Sequence, residues 1–525
     1  MIFNMKLATS EQIKEIDRLA TSKYKIPSLL RMELAGLKSY EIIMKEYSPK
    51  NTLIVAGTGN NGGDGLVVSR YLFLNKYRCS IIIVCTSKIR SEDFKKNLSI
   101  LKKLGIKILT NWKDVILSDY DLIVDSIFGV GLNRDIKEGT KKIIDKLNKS
   151  SIPICSIDIP SGLNSDNGKT YSACIKSHST VTYDFAKPGL LTDPGASFSK
   201  RIFIVKLSTP ESLSEKLNSF YVNERFFNNF FIKRSRSSNK GSFGHVLIIG
   251  GSKNMSGAVA LSGLAAYKSG AGLVTLCVPQ CISNNLKRKI PEAIIVDIPN
   301  SQDSNTIDEK KFLATVKTNI RKKPTCVVIG PGLGNRNDLM AIIKDSLEFF
   351  NCPIILDADA LGIASKNMSI LSRYKNRIII TPHPGEMSKI TKKSISFIQK
   401  NRIEIAKKVS KDLSCISVLK GFRTITADSS EKIYINGSGN EGMATGGMGD
   451  ALTGIIASFI GQGYSMLDSS ILGVFAHGKA GDAIAAKNSK RGILASEIIK
   501  ELPRTIFSLE NNPALVPEIE KVENA

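Results

Sequence analysis

Short apolar runs of strand length recur along this chain, each followed by a stretch with helical spacing, and the whole alternation happens twice. The first series is Thr52–Ala56, Ser80–Cys85, Asp121–Ser126, Ile152–Ile159, Thr180–Phe185 and Ile202–Leu207. The second is Val246–Ile249, Leu273–Val278, Ala293–Ile298, Cys326–Ile329, Ile354–Asp357, Arg377–Thr381 and Ile416–Leu419. Strands this apolar are buried on both faces, and helices between them impose crossovers and hence parallel pairing. The pattern predicts an α/β chain with two mainly parallel sheets, each covered by helices. With 525 residues the chain is also too long for one core. The poorly patterned stretch between about Thr209 and Val222 is the expected linker, giving domains over 1-215 and 222-510. Ahead of the first strand, Thr9 to Tyr47 reads as helices, and Thr9 with Gln12 has capping-box spacing.

In such sheets ligands sit beyond the carboxyl ends of the strands. Polar residues collect there in the first half: Asn60, Asn61 and Asp64 follow the first strand, Asp125 ends the third, and Asp158 with Ser161 closes the fourth. Taken singly, Asp125 and Asp158 read equally well as turn residues or helix caps. Their shared position means more, because the fold brings those ends into one crevice. Gly57 to Gly62 fits the Gly-x-Gly-x-x-Gly dinucleotide fingerprint, but the second strand ends at Cys85-Thr86, where an acid would be needed for the ribose. With two asparagines and Asp64 in the loop, a polar site is expected rather than ordinary dinucleotide binding.

The second half has its densest chemistry between Asn436 and Gly454, where glycines crowd a turn between a β-like segment, Lys432 to Ile435, and an apolar helical pattern, Ala451 to Ile460. A glycine-rich turn into a helix start exposes unpaired N–H groups and a partial positive charge, which suits phosphate. Into it the chain places a carboxylate, Asp450. Asp450 is either a helix cap or a base that takes a proton from a hydroxyl while the turn steadies a phosphoryl group, and the density of glycines favours the base. Other loops rich in glycine or polar residues follow the strands of this half: Gly250 to Ala258, Gly330 to Gly334, Asp357 to Ala360, Thr381 to Glu386 and Lys420 to Thr424. His383, between two prolines, reads on its residues alone as a turn residue. Gly473 to Lys479 has P-loop spacing, but Ala480 replaces the hydroxyl residue and no strand precedes it, so Lys479 is read as a surface residue.

Lys+Arg 73 against Asp+Glu 48 gives a net charge of +25, which invites anionic partners. No long basic block, zinc-finger spacing or stacking-aromatic motif accompanies it, so small phosphorylated ligands are preferred to nucleic acid. The 9 cysteines form no Cys-x-x-Cys pair and many lie in apolar runs, which reads as reduced core thiols in a cytoplasmic protein. With 4 histidines and no paired spacing, zinc is not expected. Neither a signal core nor an apolar run of membrane-spanning length is visible, so no membrane partner is expected.

Val55 to Arg70 (VAGTGNNGGDGLVVSR), Asp125 to Asp135 (DSIFGVGLNRD) and Ser156 to Gly168 (SIDIPSGLNSDNG) resemble the epimerase half of the bifunctional NAD(P)H-hydrate repair family. The loops of the second half resemble that family's ADP- or ATP-dependent dehydratase half, in the same order. The resemblance implies a Rossmann-like three-layer domain followed by a ribokinase-like α/β domain. It implies an isomerase that interconverts the R and S forms of NADH and NADPH hydrated at C6, joined to a lyase that dehydrates the S form at the expense of ADP, giving AMP and phosphate. By the resemblance, Asn60, Asn61, Gly62, Gly63, Asp64, Gly129, Val130, Gly131, Leu132, Asn133, Arg134, Asp135 and Asp158 contact the hydrate in the first domain. Asp158 is the candidate for proton transfer there. Asn61, Asp125 and Ser161 match the family's potassium ligands, and oxygen donors of this kind suit a hard cation. In the second domain Ala258, Gly334, His383 and Asp450 match hydrate contacts. Lys420, Gly421, Phe422, Arg423, Thr424 and Gly449 match contacts of the adenine nucleotide, which carries magnesium. Asp450 takes the place of the family's catalytic aspartate. A homo-oligomer is expected. Glu441, where the family often has proline, and Met255, where an aromatic is common, depart from the pattern.

Two other classes compete. A ribokinase-like kinase for a small alcohol would use the same Asp450 loop but release a stable phosphate ester, and would leave the asparagine-rich loop without a task. A binding module would account for the charge, yet needs neither Asn61, Asp125 and Asp158 at matching strand ends nor an intact second domain.

Overall fold

The computed structural model describes residues 5–84, 91–302, 305–334, 336–511 and 519–524. The chain divides into two compact units, one spanning Lys6–Asn218 and completed by a strand near the carboxyl terminus, the other beginning at Ser219. The sheet of the first unit is 8-stranded, in the order Glu520–Glu523, Ser199–Val205, Ser177–Tyr183, Ile154–Ile157, Leu122–Ser126, Asn51–Ala56, Arg78–Ile83, Ile108–Leu109. Every pairing is parallel except the edge, where Glu520–Glu523 runs antiparallel to Ser199–Val205. That edge strand was assigned to neither domain by pattern, because Glu520 to Glu523 alternates charge with a single valine, Val522, facing inward.

From the central strand Asn51–Ala56 the chain first moves to Arg78–Ile83 on one side, then returns to Leu122–Ser126 on the other. This reversal opens a crevice at the carboxyl ends of Asn51–Ala56 and Leu122–Ser126. The helix Asn60–Leu74 starts at that crevice and is buried from Asn61 through Ser69, as a helix lying directly on the sheet must be. Ile54, Val124 and Val181 pack under it with Leu66 and Leu72. The opposite face, with Leu53, Val55 and Ile123, is covered by Ile144 and Leu147 from the helix Glu138–Asn148. Two faces covered by helices make three layers. The expected capping box forms, Thr9 and Gln12 bonding reciprocally at the start of Ser10–Ser22.

In the second unit the sheet runs Ser219–Val222, Ile433–Asn436, Ile425–Ala427, Ile416–Leu419, Ile378–Ile380, Ile354–Leu356, Cys326–Ile329, His245–Ile249, Leu273–Pro279, Ile294–Ile298. Its reversal lies between His245–Ile249 and Cys326–Ile329, so the loops after those strands share a crevice. They are stitched together there: Gly251 N donates to Pro331 O at 2.8 Å and Gly330 N to Ile249 O at 3.1 Å. The strands Ile416–Leu419, Ile425–Ala427 and Ile433–Asn436 form an antiparallel meander, of which only the first and last were visible as β-like runs. Ser219–Val222 is a strand of this sheet, parallel to Ile433–Asn436, so the residues read as the end of a linker are already structured. The helix Met448–Gly461 packs on Ser256–Lys268, and Leu452 and Ile456 join Val246, Ile248 and Val328 in one core.

The predicted second strand ends at Ile83; Cys85 and Thr86, on which the ribose argument turned, lie outside the described residues. Gly473 to Lys479 sits inside the helix Met466–Lys487, with Lys479 paired to Glu224, so its P-loop spacing has no loop to act in. Among the described residues no helix is long and apolar enough to cross a membrane, and the cysteines are free.

Candidate functional sites

At the crevice of the first unit lies a cavity of about 640 Å³. Of the residues expected to contact a ligand, Asn60, Asn61, Asp64, Gly129 through Asp135 and Asp158 line it. Gly62 and Gly63 do not: a side chain on Gly62 would strike the carbonyl of Gly57, and one on Gly63 would strike Met32. These two glycines let the helix start pack against its neighbours. Gly129 is different, since a Cβ there would come within 2.7 Å of Asp158 Oδ2 and 3.3 Å of Asn61. Its lack of a side chain lets the loop close over both.

Asp158 ends the strand Ile154–Ile157 with φ at 65°, an unusual backbone for a residue with a side chain. Its carboxylate is fixed on both oxygens. Lys187 Nζ lies 2.8 Å from Oδ1, and Val130 N donates to Oδ2 at 3.0 Å. Lys187 is only 1% exposed, and it also donates to Thr182 Oγ1 at 2.7 Å and to Tyr183 O at 3.3 Å. Pattern reading missed Lys187. The signal was a lone lysine between the end of an apolar strand and Pro188, which looks like any surface loop.

Beneath the cavity lining, Asp125 is wholly buried. Ser161 Oγ donates to its Oδ1 at 2.5 Å, and Ser161 N and Ser156 Oγ donate to its Oδ2 at 2.9 and 2.8 Å. Burial raises the Asp125 carboxyl above its ordinary range, and the bonds from Ser161 and Ser156 oppose that. Phe128 N donates to Ser161 Oγ at 2.9 Å, and Phe128 O lies 3.3 Å from the same hydroxyl. Both polar atoms of the Asn61 side chain are buried with no partner among the described residues. Buried amide groups are rarely left unsatisfied. Amide, hydroxyl, carboxylate and carbonyl oxygens of this kind fit a hard cation.

The second unit assembles its site from four loops. Asp357, 1% exposed, is the hub: Thr381 Oγ1 donates to Oδ1 and Thr453 Oγ1 to Oδ2, each at 2.7 Å, and Lys420 Nζ donates to Oδ1 at 2.8 Å. Glu386 Oε2 lies 3.8 Å from the same ammonium. Burial lowers the affinity of Lys420 for its proton, but Asp357, Glu386 and Asp450 together outweigh that and raise it. Gly449 lies against this lysine, a Cβ there falling 3.1 Å from Nζ. Next to it, Asp450 sits in the first turn of Met448–Gly461.

Asp450 is not the cap. That place is taken by Gly447, whose φ of 86° suits glycine and turns the chain sharply into the helix. Among the described residues no donor bonds the Asp450 carboxylate. Its pKa is pushed up to about 7, first by burial, then by the charge of Asp357, with Lys420 opposing and Asp359 adding. A carboxyl poised there, beside free helix N–H groups, is placed to accept a hydroxyl proton near neutral pH. Glu386 is likewise pushed up to about 7, mainly by burial.

The other expected contacts divide. Ala258 lies beside Gly332, where a Cβ would stand 3.3 Å from its own. Gly334 N donates to Asp359 Oδ2 at 2.8 Å, so this loop orients the second aspartate of Asp357 to Ala360. His383 is the N-cap of Pro384–Thr391: its Nδ1 accepts from Gly385 N at 3.0 Å, and its side chain is 56% exposed. The structural reading of His383 and an exposed face for a ligand therefore coexist. Phe422 is 42% exposed, whereas Arg423 is turned inward, donating to Tyr221 Oη at 2.7 Å and Gly437 O at 2.8 Å. Arg423 shapes its loop instead of reaching into solvent. Glu441 is exposed and pairs with Lys490 at 3.0 Å, and Met255 is exposed in the loop before Ser256–Lys268, so both departures fall on loop surfaces.

Residues 28–189 match the model of the YjeF-related protein N-terminus, and residues 246–504 match that of NAD(P)H-hydrate dehydratase. A bifunctional NAD(P)H-hydrate repair enzyme of Moorella thermoacetica is 34% identical over 524 residues, covering 96% of this chain and 97% of that one. One of Dictyoglomus turgidum is 34% identical, covering 96% and 98%. Among solved structures, an ADP/ATP-dependent NAD(P)H-hydrate dehydratase from Bacillus subtilis, co-crystallized with ATP and Mg2+, is 27% identical with a TM-score of 0.47, covering 55% of this chain and 97% of that chain.

Proposed function

Because the chain belongs to the family of bifunctional NAD(P)H-hydrate repair enzymes, we propose that its first domain epimerises the R and S hydrates of NADH and NADPH at C6 and its second dehydrates the S form with ADP or ATP. The observation that carries the reading is Asp450: a carboxyl with no hydrogen bond from the described residues, on the first turn of a helix, one residue from Gly449 and beside Lys420.

In the second domain Asp450 takes the proton of the C6 hydroxyl. The hydroxyl oxygen attacks the terminal phosphoryl group of the nucleotide, and the N–H groups of Gly446 to Gly449 steady the charge that develops. Lys420, anchored by Asp357, holds the nucleotide's anionic end. Magnesium, bound with the nucleotide, would neutralise part of the phosphate charge. Hydroxide leaves carbon poorly and phosphate leaves well, so the C6–O bond then breaks with the phosphate taking its electron pair, C5 gives up a proton to water, and the C5–H pair becomes the double bond that restores the dihydronicotinamide.

In the first domain Asp158 exchanges a proton at the hydroxylated carbon, held in place by Lys187 and Val130 N. Asn61, Asp125 and Ser161 would hold potassium, which supplies a fixed positive charge beneath the loop Phe128 to Gly131. The asparagine-rich loop is the feature that a small-alcohol kinase leaves unused.

Mixed R and S hydrate, incubated with the full chain and either ADP or ATP, tests the reading. Full recovery of dihydronicotinamide absorbance with release of free phosphate is expected. A stable phosphate ester as product would instead support the kinase.

A further inference from the structure

The first cavity holds a second carboxyl group whose surroundings are the reverse of Asp158's. Asp64 is 9% exposed and lines the same cavity. Among the described residues, no hydrogen bond and no ion pair reach its carboxyl. The charged and titratable groups around it come from several elements. Asp17 lies on the helix Ser10–Ser22. Arg31, on Ser28–Tyr47, is committed to Asp17 at 2.7 Å and to Asp184 at 3.2 Å. Tyr183 is hydrogen-bonded to Ser39 at 2.8 Å. Lys187 has its three N–H groups on Asp158, Thr182 and Tyr183, so it has none left for a ligand. Burial, and then the charges of Asp158 and Asp17, hold the Asp64 carboxyl well above the usual range. One cavity thus contains a carboxyl tied to a lysine and a carboxyl with no such partner whose burial favours the protonated form, the usual division between base and acid.

The hydrate explains why both are needed. Water added at C6 leaves a hydroxyl and the ring nitrogen N1 on the same carbon, a hemiaminal. Inverting that carbon requires a bond at C6 to break and re-form on the other face, with one group giving a proton and one taking it. We propose that Asp64 is the proton donor of the epimerisation, acting against Asp158 as acceptor. Asp158 takes the hydroxyl proton, and the O–H electron pair becomes the second bond of a C6 aldehyde. The C6–N1 bond breaks, its pair goes to N1, and the proton of Asp64 moves onto N1. Rotation about C5–C6 presents the opposite face of the aldehyde. N1 then attacks, its proton returns to Asp64, and the oxygen recovers a proton from Asp158. Both carboxyls end as they began, with no oxidant, reductant or added water.

This inference rests on the epimerase reading, and the experiment separates the two. S-enriched hydrate is incubated with the full chain without nucleotide, so that dehydration is silent, and the R to S ratio is followed by chromatography against the spontaneous rate. No acceleration by the unaltered protein would sink the epimerase reading itself. With acceleration present, Asp64→Asn is expected to lose at least about 100-fold in kcat with KM within about threefold, and Asp64→Glu to recover part of the rate. In the unaltered protein, kcat should fall as pH rises through the raised range of Asp64, and Asp64→Asn should lack that alkaline limb. An Asp64→Asn protein with parental kcat and only a raised KM would overturn the inference. So would an unaltered protein with no alkaline limb, a result that holds even if the variant fails to fold.

Discussion

The two domains each set an aspartate at the carboxyl end of a parallel sheet, and they treat it in opposite ways. Asp158 is held on both oxygens, by Lys187 and by Val130 N. Asp450 has no such donor, and the nearest lysine, Lys420, is bonded to Asp357. The difference matches the roles proposed for the two aspartates. An epimerase works on one substrate in either direction, and a base for it would be fixed in advance. The proposed phosphoryl site would receive a nucleotide carrying negative charge, with its lysine and its helix N–H groups turned to that ligand. Asp450 faces Asp357 and Asp359 at a cost in stability, a common feature of functional sites.

If the comparison is right, the two activities separate. Asp158→Asn should lose about 10³-fold in epimerisation and leave dehydration of pure S hydrate unchanged, read from the R to S ratio and from absorbance. A parallel loss of both would break the comparison. The next effect is on stability. Lys187→Met leaves Asp158 buried without its cation and should cost about 3–5 kcal/mol in urea unfolding. The double variant Lys187→Met with Asp158→Asn should recover most of that, since no uncompensated charge remains.

Asp450 predicts a smaller shift of opposite sign. Its pKa is pushed up to about 7 in the folded protein from the ordinary carboxyl value of 3.8. The folded chain therefore binds the extra proton between about pH 4 and 7, and stability is present below that window and lost as pH rises through it. Asp450→Asn removes the penalty. It should stabilise the protein at pH 8 by on the order of 2 kcal/mol after solvent screening and have no effect near pH 4, read by denaturant titration at the two pH values. The smallest effect sharpens the choice of phosphate site. Lys479→Ala should change dehydration by less than about twofold, because it removes only a surface ion pair with Glu224.

Much of this architecture was legible because buried parallel strands are short apolar runs, and their ends carry the polar residues. Cys326–Ile329 and Ile416–Leu419 were placed to the residue, and the strand-end position of Asn61, Asp64 and Asp158 pointed to the crevice whose cavity they line. What escaped has physical causes. The edge strand Glu520–Glu523 is half solvated and carries one apolar residue, so it has no run to detect. Ile425–Ala427 is only three residues long. Lys187 and Asp17 enter the first site from a loop and from an amphipathic helix, and their approach to the cavity depends on tertiary packing that a local pattern cannot register. The inward turn of Arg423 onto Tyr221 is likewise a tertiary contact, between residues about two hundred positions apart, that no local pattern registers.

The central claim is that a carboxylate on a glycine-rich helix start converts a hydroxyl into a phosphate leaving group. The most direct test uses the full chain with Asp450→Asn, mixed R and S hydrate and ADP or ATP, following the absorbance of dihydronicotinamide and the R to S ratio in the same sample. The account predicts that absorbance recovery falls by about 10³-fold or more while the two epimers still equilibrate at the parental rate. Recovery of absorbance at the parental rate would contradict it.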